Sequence, residues 1–265
     1  MIELCANITE KHWSRHCPPP ADCLQYFDSE EAWRAASAPY LCQIVTLRHS
    51  EWPDALWHVR LPEKIATDDT ATTGAYQERI QWSRTGDGWD FRDLPLAELE
   101  GTIDGSIRVV EDVVEYSLAL TNASEKVWPR ALAWLCFNHI MASAYYRYRN
   151  FVFRRHEAIE TPERVEQHYC VGGQQRDWWI QGEIEPDASL IATQCVDAEG
   201  APFTAGIAAE RAILLGQNPA WPCTDIGLFF GDVGPGQRSA VRGRIYFCRG
   251  TPEDLWHRYR QDFPR

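Results

Sequence analysis

The sequence lacks the short motifs that mark several large enzyme classes. Its 17 glycines never give the spacing of a phosphate-binding or dinucleotide-binding loop, so we expect no nucleotide chemistry. It also has no G-x-S-x-G, H-E-x-x-H or C-x-x-C pattern, which removes the local signatures of α/β-hydrolases, zinc proteases and thioredoxin-like proteins. Any catalytic group must therefore come from residues that are far apart in the chain.

An excess of basic residues is absent as well. The chain has 26 Lys and Arg against 38 Asp and Glu, a formal net charge of −12. Nucleic acids and anionic lipids attract basic surfaces, so we expect neither a nucleic acid nor a membrane as the main partner. A local cluster of basic residues is still compatible with this balance.

Long apolar runs and a disulfide framework are missing too. The N-terminus has no apolar core of signal-peptide length, and no later segment approaches about 18 apolar residues. The nine cysteines are odd in number and have no framework spacing, which is typical of reduced thiols. We therefore expect a cytoplasmic protein; the alternative, a secreted protein whose leader has been removed, requires at least one unpaired thiol.

What the sequence does contain favours a large β-rich core. Hydrophobic residues make up 45% of the chain and aromatic residues 12%. Short runs rich in Val, Ile, Thr, Trp and Tyr alternate with Pro, Asp and Gly clusters, which predicts many short strands. The predicted strands lie at 41–48, 55–61 and 78–83, and around 150–157, 178–184, 189–196, 206–215 and 240–248.

Two segments predict particular strands. Over 101–122, apolar residues alternate with polar ones on both sides of Glu111-Asp112, which predicts an antiparallel hairpin with one buried face. Segment 131–140 is apolar at nearly every position, which fits a central strand covered on both faces, although a short buried helix has the same pattern.

The two ends of the chain differ from the middle. Residues 1–40 predict an irregular N-terminal arm, interrupted by three prolines, with a short helix beginning at Ser29. Segment 251–263 predicts an amphipathic helix with Thr251 as its cap. We therefore predict an all-β fold, a single antiparallel β-sandwich domain over 41–265 with a C-terminal helix.

Three segments carry a resemblance to known proteins. They are Leu118–Ser124, Asn218–Cys223 and Gly234–Gly250, and in this order and spacing they resemble uncharacterised bacterial β-sandwich proteins of planctomycete type. Those proteins are similar in architecture to the galactose-mutarotase-like supersandwich, a class with epimerases, lyases, hydrolase domains and non-catalytic members. The resemblance implies a supersandwich fold and carbohydrate as the ligand class. The chain departs from the pattern where Thr224 follows Cys223, because the family has a His there, which puts a metal or proton-transfer role for that segment in doubt.

A first group of candidate site residues lies between Cys136 and His168. Arginines alternate with aromatic residues there, and a guanidinium beside aromatic rings suits a carboxylate or a polyhydroxyl ligand, so we predict Arg149 as substrate-binding. The alternative is that these arginines pair with surface carboxylates. Because histidine titrates near neutral pH, His139 and His156 are predicted as general acid or base, although each is also typical of a hydrogen-bonded structural histidine.

A second group lies further along the chain. In a strand around 178–184, Trp179 and Glu183 would share one face, which gives an aromatic platform next to a catalytic carboxylate. The Pro-rich loop 216–227 places Asn218, Trp221 and Asp225 on irregular backbone, where ligand sites are often built. We predict these three as substrate-binding, and we expect Trp221 to line one pocket with Arg149, His139 and Trp179.

These residues predict a carbohydrate-active protein that binds a sugar or sugar acid, a small molecule or an oligosaccharide, with His and Glu as the acid–base groups. The alternatives are a non-catalytic sugar-binding or accessory subunit and a protein-interaction domain. No cofactor and no metal is predicted. The ligand types of His12, His16, Cys17 and Cys23 suit zinc, but their spacing matches no standard module, so a metal there stays open.

The compartment hypothesis makes a prediction about thiols. If the protein is kept reduced, titration of the denatured, unreduced chain with a thiol reagent should count close to the nine cysteines of the sequence. A count close to one would contradict the hypothesis and would indicate an oxidised, secreted protein.

Overall fold

The described residues form a β-sandwich. The computed structural model describes residues 1–7, 29, 31–32, 43–72, 80–96, 98–141, 149–162, 166–173, 182–196, 201–218 and 223–264. The strands are β1 (Ile2–Cys5), β2 (Ile44–His49), β3 (Trp52–Ala66), β4 (Ala71–Thr72), β5 (Ser83–Thr85), β6 (Gly88–Leu96), β7 (Gly101–Val110), β8 (Val113–Asn122), β9 (Trp128–Met141), β10 (Arg149–Arg154), β11 (Glu157–Glu160), β12 (Gln167–Cys170), β13 (Leu190–Val196), β14 (Pro202–Ala209), β15 (Ala212–Asn218), β16 (Cys223–Val233) and β17 (Arg238–Arg249). A 3₁₀ turn covers Val171–Gly173, and helix α1 covers Pro252–Asp262.

Within the described ranges, the strands make two antiparallel sheets. The eight-stranded sheet has the order β1-β2-β3-β9-β16-β15-β12, with β4 paired to β3. The nine-stranded sheet has the order β11-β10-β13-β14-β17-β8-β7-β6-β5. Side chains from the facing surfaces of both sheets form the main hydrophobic core, as expected for a sandwich.

Strand β9 lies between β3 and β16 and is covered on both faces. Ala133, Leu135 and Phe137 belong to the core between the sheets, whereas Leu132 and Trp134 pack in a second apolar cluster on the other side. We call that other side the outer face of the eight-stranded sheet. The prediction of a central strand over 131–140 is confirmed, and the alternative of a buried helix is wrong.

The predicted all-β sandwich is confirmed, and so is its clearest hairpin. Strands β7 and β8 pair from Gly101 with Asn122 to Val110 with Val113, and their alternate apolar residues are buried. Several strand predictions need correction. Positions 182–184, the described part of the strand predicted around 178–184, are not in a strand. Residues 206–215 are two strands, β14 and β15, that turn at Glu210-Arg211, and positions 80–82 are not in a strand, which begins at Ser83.

Helix α1 packs on the outer surface of the nine-stranded sheet. Its cap is the predicted one, because the Thr251 hydroxyl accepts from the Asp254 amide and the Asp254 carboxylate accepts from the Thr251 amide. Leu255, Trp256 and Tyr259 are buried against β10, β13, β14 and β17, and the Trp256 ring stacks on Phe153 at 5.2 Å. The C-terminal helix is therefore confirmed.

The N-terminal arm is only partly irregular. Ile2–Cys5 form β1, which pairs with β2, so the prediction of irregular structure is wrong for these residues. At the predicted start of the short helix, the Ser29 hydroxyl accepts from the Ala32 amide at 3.1 Å. Positions 8–28, 30 and 33–42, which include His12, His16, Cys17 and Cys23, lie outside the described residues.

The described cysteines are all free thiols. Cys136, Cys170, Cys195 and Cys223 are buried, Cys248 is half-buried and Cys5 is exposed. Among the described residues, no helix has the length and apolar character needed to cross a membrane.

The packing of α1 predicts a stability difference between two helix positions. Leu255 has no exposed surface, so Leu255→Ala should lower the free energy of unfolding by about 2–5 kcal/mol through lost burial and a cavity. Gln261→Ala, at an exposed position of the same helix, should change it by less than about 0.5 kcal/mol. Urea denaturation of the three proteins checks this, and equal effects would show that α1 contributes no packing energy.

Candidate functional site

Polar side chains cross the outer face of the eight-stranded sheet in two adjacent rows. The register of the antiparallel strands sets both rows, since directly paired residues point to the same face. The first row is Arg60, Cys136, Asp225, Gly216 and His168, on β3, β9, β16, β15 and β12. The second row is His58, Asn138, Cys223 and Asn218, on β3, β9, β16 and β15. A third, apolar row follows beside the first, and its Trp134 is buried over Gly227.

The middle of the two rows is buried and its ends are partly open. Cys136, Asn138, Cys223 and Asp225 expose 3, 4, 4 and 8% of their surface. Arg60 at one end and His168 at the other are half-buried. Polar groups that are withdrawn from water in this way are costly unless they are partnered, so the concentration of polar side chains on this face marks it as the candidate site.

An irregularity in β3 forms one end of the first row. The register between β3 and β9 shifts between Arg60 and Lys64, and the Arg60 guanidinium reaches the Glu63 carboxylate at 3.3 Å. In a regular strand, residues three apart point to opposite faces. The shift therefore lets this ion pair form on the outer face, where it neutralises the charge of Arg60.

Two thiols and a carboxylate meet in the middle of the rows. The ligand atoms of Cys136, Cys223 and Asp225 all lie within 4.8 Å of one another, and the Cys223 thiol donates to Asp225 Oδ1 at 3.5 Å. Burial, followed by the charge of Glu63, raises the pKa of the Asp225 carboxyl to about 7.

The thiols themselves have raised pKa values. A hydrogen bond with Cys223, followed by burial, raises the pKa of Cys136 well above its ordinary value. The same hydrogen bond acts to lower the pKa of Cys223, but burial and the neighbouring carboxylates outweigh it and raise that pKa to about 12. Both thiols are therefore neutral near pH 7 when nothing else is bound.

A glycine opens the space between Asp225 and His168. A Cβ atom on Gly216 would stand 3.1 Å from His168 Cδ2 and 3.2 Å from the Asp225 Cβ, so any side chain there would fill the gap. Next to His168, the Gly182 amide donates to the His168 carbonyl at 2.9 Å. Glu183, predicted as a catalytic carboxylate, follows Gly182 and is exposed. Positions 182–184 are not in a strand, so the strand alternation that would put Glu183 on one face with Trp179 is wrong at Glu183.

Two of the predicted substrate-binding residues, Asn218 and Asp225, lie in these rows. Sequence analysis placed them on a loop, but both belong to strands. Asn218 is the last residue of β15, and Asp225 lies in β16, which begins at Cys223. Trp221 lies in the connection 219–222 between those two residues, and Trp179 lies in 174–181; both are outside the described residues.

His139 lies on the other face of β9, between the sheets. Its Nε2 is 3.4 Å from the hydroxyls of Thr224 and Thr193, and the Thr193 hydroxyl donates to Asn150 Oδ1 at 2.8 Å. Burial lowers the pKa of His139 to about 3. Such a group stays neutral near pH 7, which does not favour the predicted acid–base role and does favour a structural one.

Arg149 and His156 lie on the helix side of the nine-stranded sheet. Arg149 forms an ion pair with Glu160 and stands over the Phe151 ring, which packs in the cluster beneath α1. His156 lies at the turn after β10, next to Trp256 and Arg260. Arg149 and His139 are thus on opposite faces of the nine-stranded sheet, and the expectation that they line one pocket is wrong.

The other row residues were missed in the sequence, although one signal was present. In Trp57-His58-Val59-Arg60 a polar residue follows each apolar one, so that His58 and Arg60 share the face opposite to the core. Cys136 and Asn138 alternate in the same way with Leu135 and Phe137. No local pattern connects these strands, because Arg60 and Asp225, which flank Cys136 in the first row, are 165 positions apart in the chain.

The burial of His139 predicts a dependence of stability on pH. The pKa of His139 is about 3 in the folded protein against 6.5 for a solvent-exposed histidine, so the unfolded chain binds a proton more readily. The stability gained by burying a neutral His139 is complete above about pH 6.5 and is lost as the pH falls. From pH 7 to pH 4.5 the wild type should lose about 2–3 kcal/mol more than His139→Gln in urea denaturation. Parallel losses in the two proteins would contradict the burial argument.

Comparisons with known proteins give distant structural likenesses. No protein-family model matches the chain. No curated protein matches it either. Among solved structures, a galactose mutarotase related enzyme from Lactobacillus acidophilus is 9% identical with a TM-score of 0.44, and the match covers 79% of this chain and 96% of that one. A galactose mutarotase-like protein from Lactobacillus casei is 11% identical with a TM-score of 0.45, over 78% and 97%.

An alpha-N-acetylgalactosaminidase from Bifidobacterium bifidum, in complex with GalNAc, is 13% identical with a TM-score of 0.49. That match covers 86% of this chain but only 37% of the enzyme. The solved structures to which the chain is similar thus include galactose mutarotase-like proteins. At these identities and TM-scores the likenesses assign neither a family nor an activity, and the resemblance to planctomycete-type proteins stays a prediction.

Proposed function

We propose that this protein binds a sugar on the outer face of the eight-stranded sheet and transfers protons to and from it. The two rows of polar side chains carry this proposal, because they combine many uncharged hydrogen-bonding groups on one face of a sheet. Asparagine amides both donate and accept, and a neutral imidazole does the same, which suits hydroxyl groups that also do both.

The surroundings of the rows support a sugar over other polar ligands. Paired positions on neighbouring strands place Cβ atoms about 4.5–5.5 Å apart, so several side chains reach one small ring-shaped ligand. Asn138 lies between His58 and Cys223, and Asn218 follows in the same row.

The charges favour a neutral sugar over a sugar acid. The guanidinium of Arg60 is paired with Glu63, so it offers donors without a net positive charge. The row also contains the Asp225 carboxylate. In this proposal it accepts hydrogen bonds from the sugar hydroxyls, and when ionised it would repel the carboxylate of a sugar acid. In this proposal Asn218 and Asp225 keep their substrate-binding role.

For proton transfer we propose His168 and Glu183 at the open end of the first row. Epimerisation, β-elimination and hydrolysis all need a positioned acid and base. His168 is half-buried, and Glu183 is exposed and follows Gly182, whose amide donates to the His168 carbonyl at 2.9 Å. Trp179 and Trp221 stay proposed sugar contacts. The connection with Trp221 joins Asn218 to Cys223, and the connection with Trp179 ends at Gly182, whose amide donates to the His168 carbonyl.

The proposal predicts the effect of removing one guanidinium. Arg60→Met should weaken binding of D-galactose or D-glucose by about 10-fold or more, since a hydrogen bond to a charged group is worth about 1.5–3 kcal/mol. Isothermal titration calorimetry measures the affinity. Polarimetry of a fresh solution of each sugar's α-anomer measures anomerisation, which needs a proton taken from the anomeric hydroxyl and one given to the ring oxygen. The matching uronates should bind more weakly than the neutral sugars.

Arg242→Met is the matched control. Arg242 forms an ion pair with Glu210 at 3.4 Å on the other sheet, so its loss should leave the sugar affinity unchanged. Equal losses in the two variants, or no binding of any of the sugars, would contradict the proposal. Binding without a change in anomerisation would support a sugar-binding protein instead of an enzyme of this kind.

A further inference from the structure

We propose that Cys136, Cys223 and Asp225 bind a divalent transition-metal ion, with zinc preferred, at the middle of the outer-face rows. The proposal goes beyond the proposed function, since it holds whether or not a sugar binds. It concerns a pair of buried thiols that sugar recognition does not need. Zinc is bound in proteins by thiolate, imidazole and carboxylate groups, and this cluster offers two of those three types.

The spacing of the ligand atoms fits a tetrahedral zinc ion. Bonds of about 2.3 Å to sulfur and about 2.0 Å to oxygen, at a tetrahedral angle, place the two ligand atoms about 3.5 Å apart. The observed distance from Cys223 Sγ to Asp225 Oδ1 is 3.5 Å. All three ligand atoms lie within 4.8 Å of one another, so one ion can reach them together with small side-chain adjustments.

The backbone holds the three ligands rigidly. Cys136 is paired directly with Asp225 across β9 and β16, and Cys223 lies two residues before Asp225 on the same face. These are central strands of the sheet, which position a metal site more accurately than a loop does. Because thiolates are soft ligands, the set favours zinc over Mg²⁺ and Ca²⁺, which prefer oxygen ligands.

Metal binding also explains why three acidic groups share a buried position. Cys136, Cys223 and Asp225 expose only 3, 4 and 8% of their surface, and their ligand atoms lie within 4.8 Å of one another. A divalent ion replaces the two thiol protons, which pass to solvent, so the site keeps the net charge of its one carboxylate. Three protein ligands leave a fourth position, which in zinc enzymes takes water or substrate.

The test is the metal content and the cobalt spectrum of the whole protein. We expect about one zinc per chain, the value for a single site, in untagged protein from zinc-supplemented cells by mass spectrometry of the metal. Replacement by Co²⁺ should give thiolate-to-cobalt charge-transfer absorption. Cys136→Ser, Cys223→Ser and Asp225→Asn should each weaken metal affinity at least 10-fold, and Asp225→Asn preserves shape if the serine variants fail to fold.

Cys170→Ser is the matched control. Cys170 is equally buried on the same face but lies in the neighbouring apolar row, so its variant should bind metal as the wild type does. The double variant Cys17→Ser/Cys23→Ser tests the N-terminal cysteines and should also keep the metal. Absence of the charge-transfer band in the wild type, equal loss in Cys170→Ser, or loss confined to the N-terminal variant would overturn the proposal. Sugar affinity, measured separately, distinguishes its failure from that of the proposed function.

Discussion

The strict register of the central antiparallel strands is the constraint on which the rest of this structure depends. In β9, Phe137 points into the core and Asn138 points to the outer face, and the neighbouring strands repeat the alternation. A slip by one residue would exchange the two faces, sending apolar side chains to the site and polar ones to the core. Core and candidate site are therefore specified by the same pairing.

Both faces of the eight-stranded sheet bury polar groups, but they do so differently. Between the sheets, Asn150 donates to Gln217 Oε1 at 3.1 Å and Gln217 donates to the Pro162 carbonyl at 2.8 Å, so polar atoms are joined in a chain. Hydrogen-bonded networks of this kind rigidify a core. On the outer face, Cys136, Cys223 and Asp225 stand close together instead, and the pKa values of these three groups are raised. Ionisable groups with strongly shifted pKa values occur more often at functional sites than elsewhere.

The candidate site was only partly accessible to sequence reasoning. Asn218 and Asp225 were predicted as ligand-binding because a Pro-rich segment suggested an exposed loop, and the structure places them in strands of the outer-face rows. His58 and Arg60 were overlooked, although their alternation with Trp57 and Val59 was visible. Arg149 was selected for its aromatic neighbours, but one of them, Phe151, packs under helix α1, away from the rows.

The sequence by itself determined the local structure. Alternation over 101–122 defined the β7–β8 hairpin, and Thr251, Pro252 and Asp254 defined the start of α1, because these signals act between residues that are near in the chain. Only the tertiary structure decided which residues meet. Arg60, Cys136, Asp225 and His168 come from four strands that are far apart in the sequence. These residues form one row because burial of both faces of the eight-stranded sheet determines the strand order and the register of each strand pair at the same time.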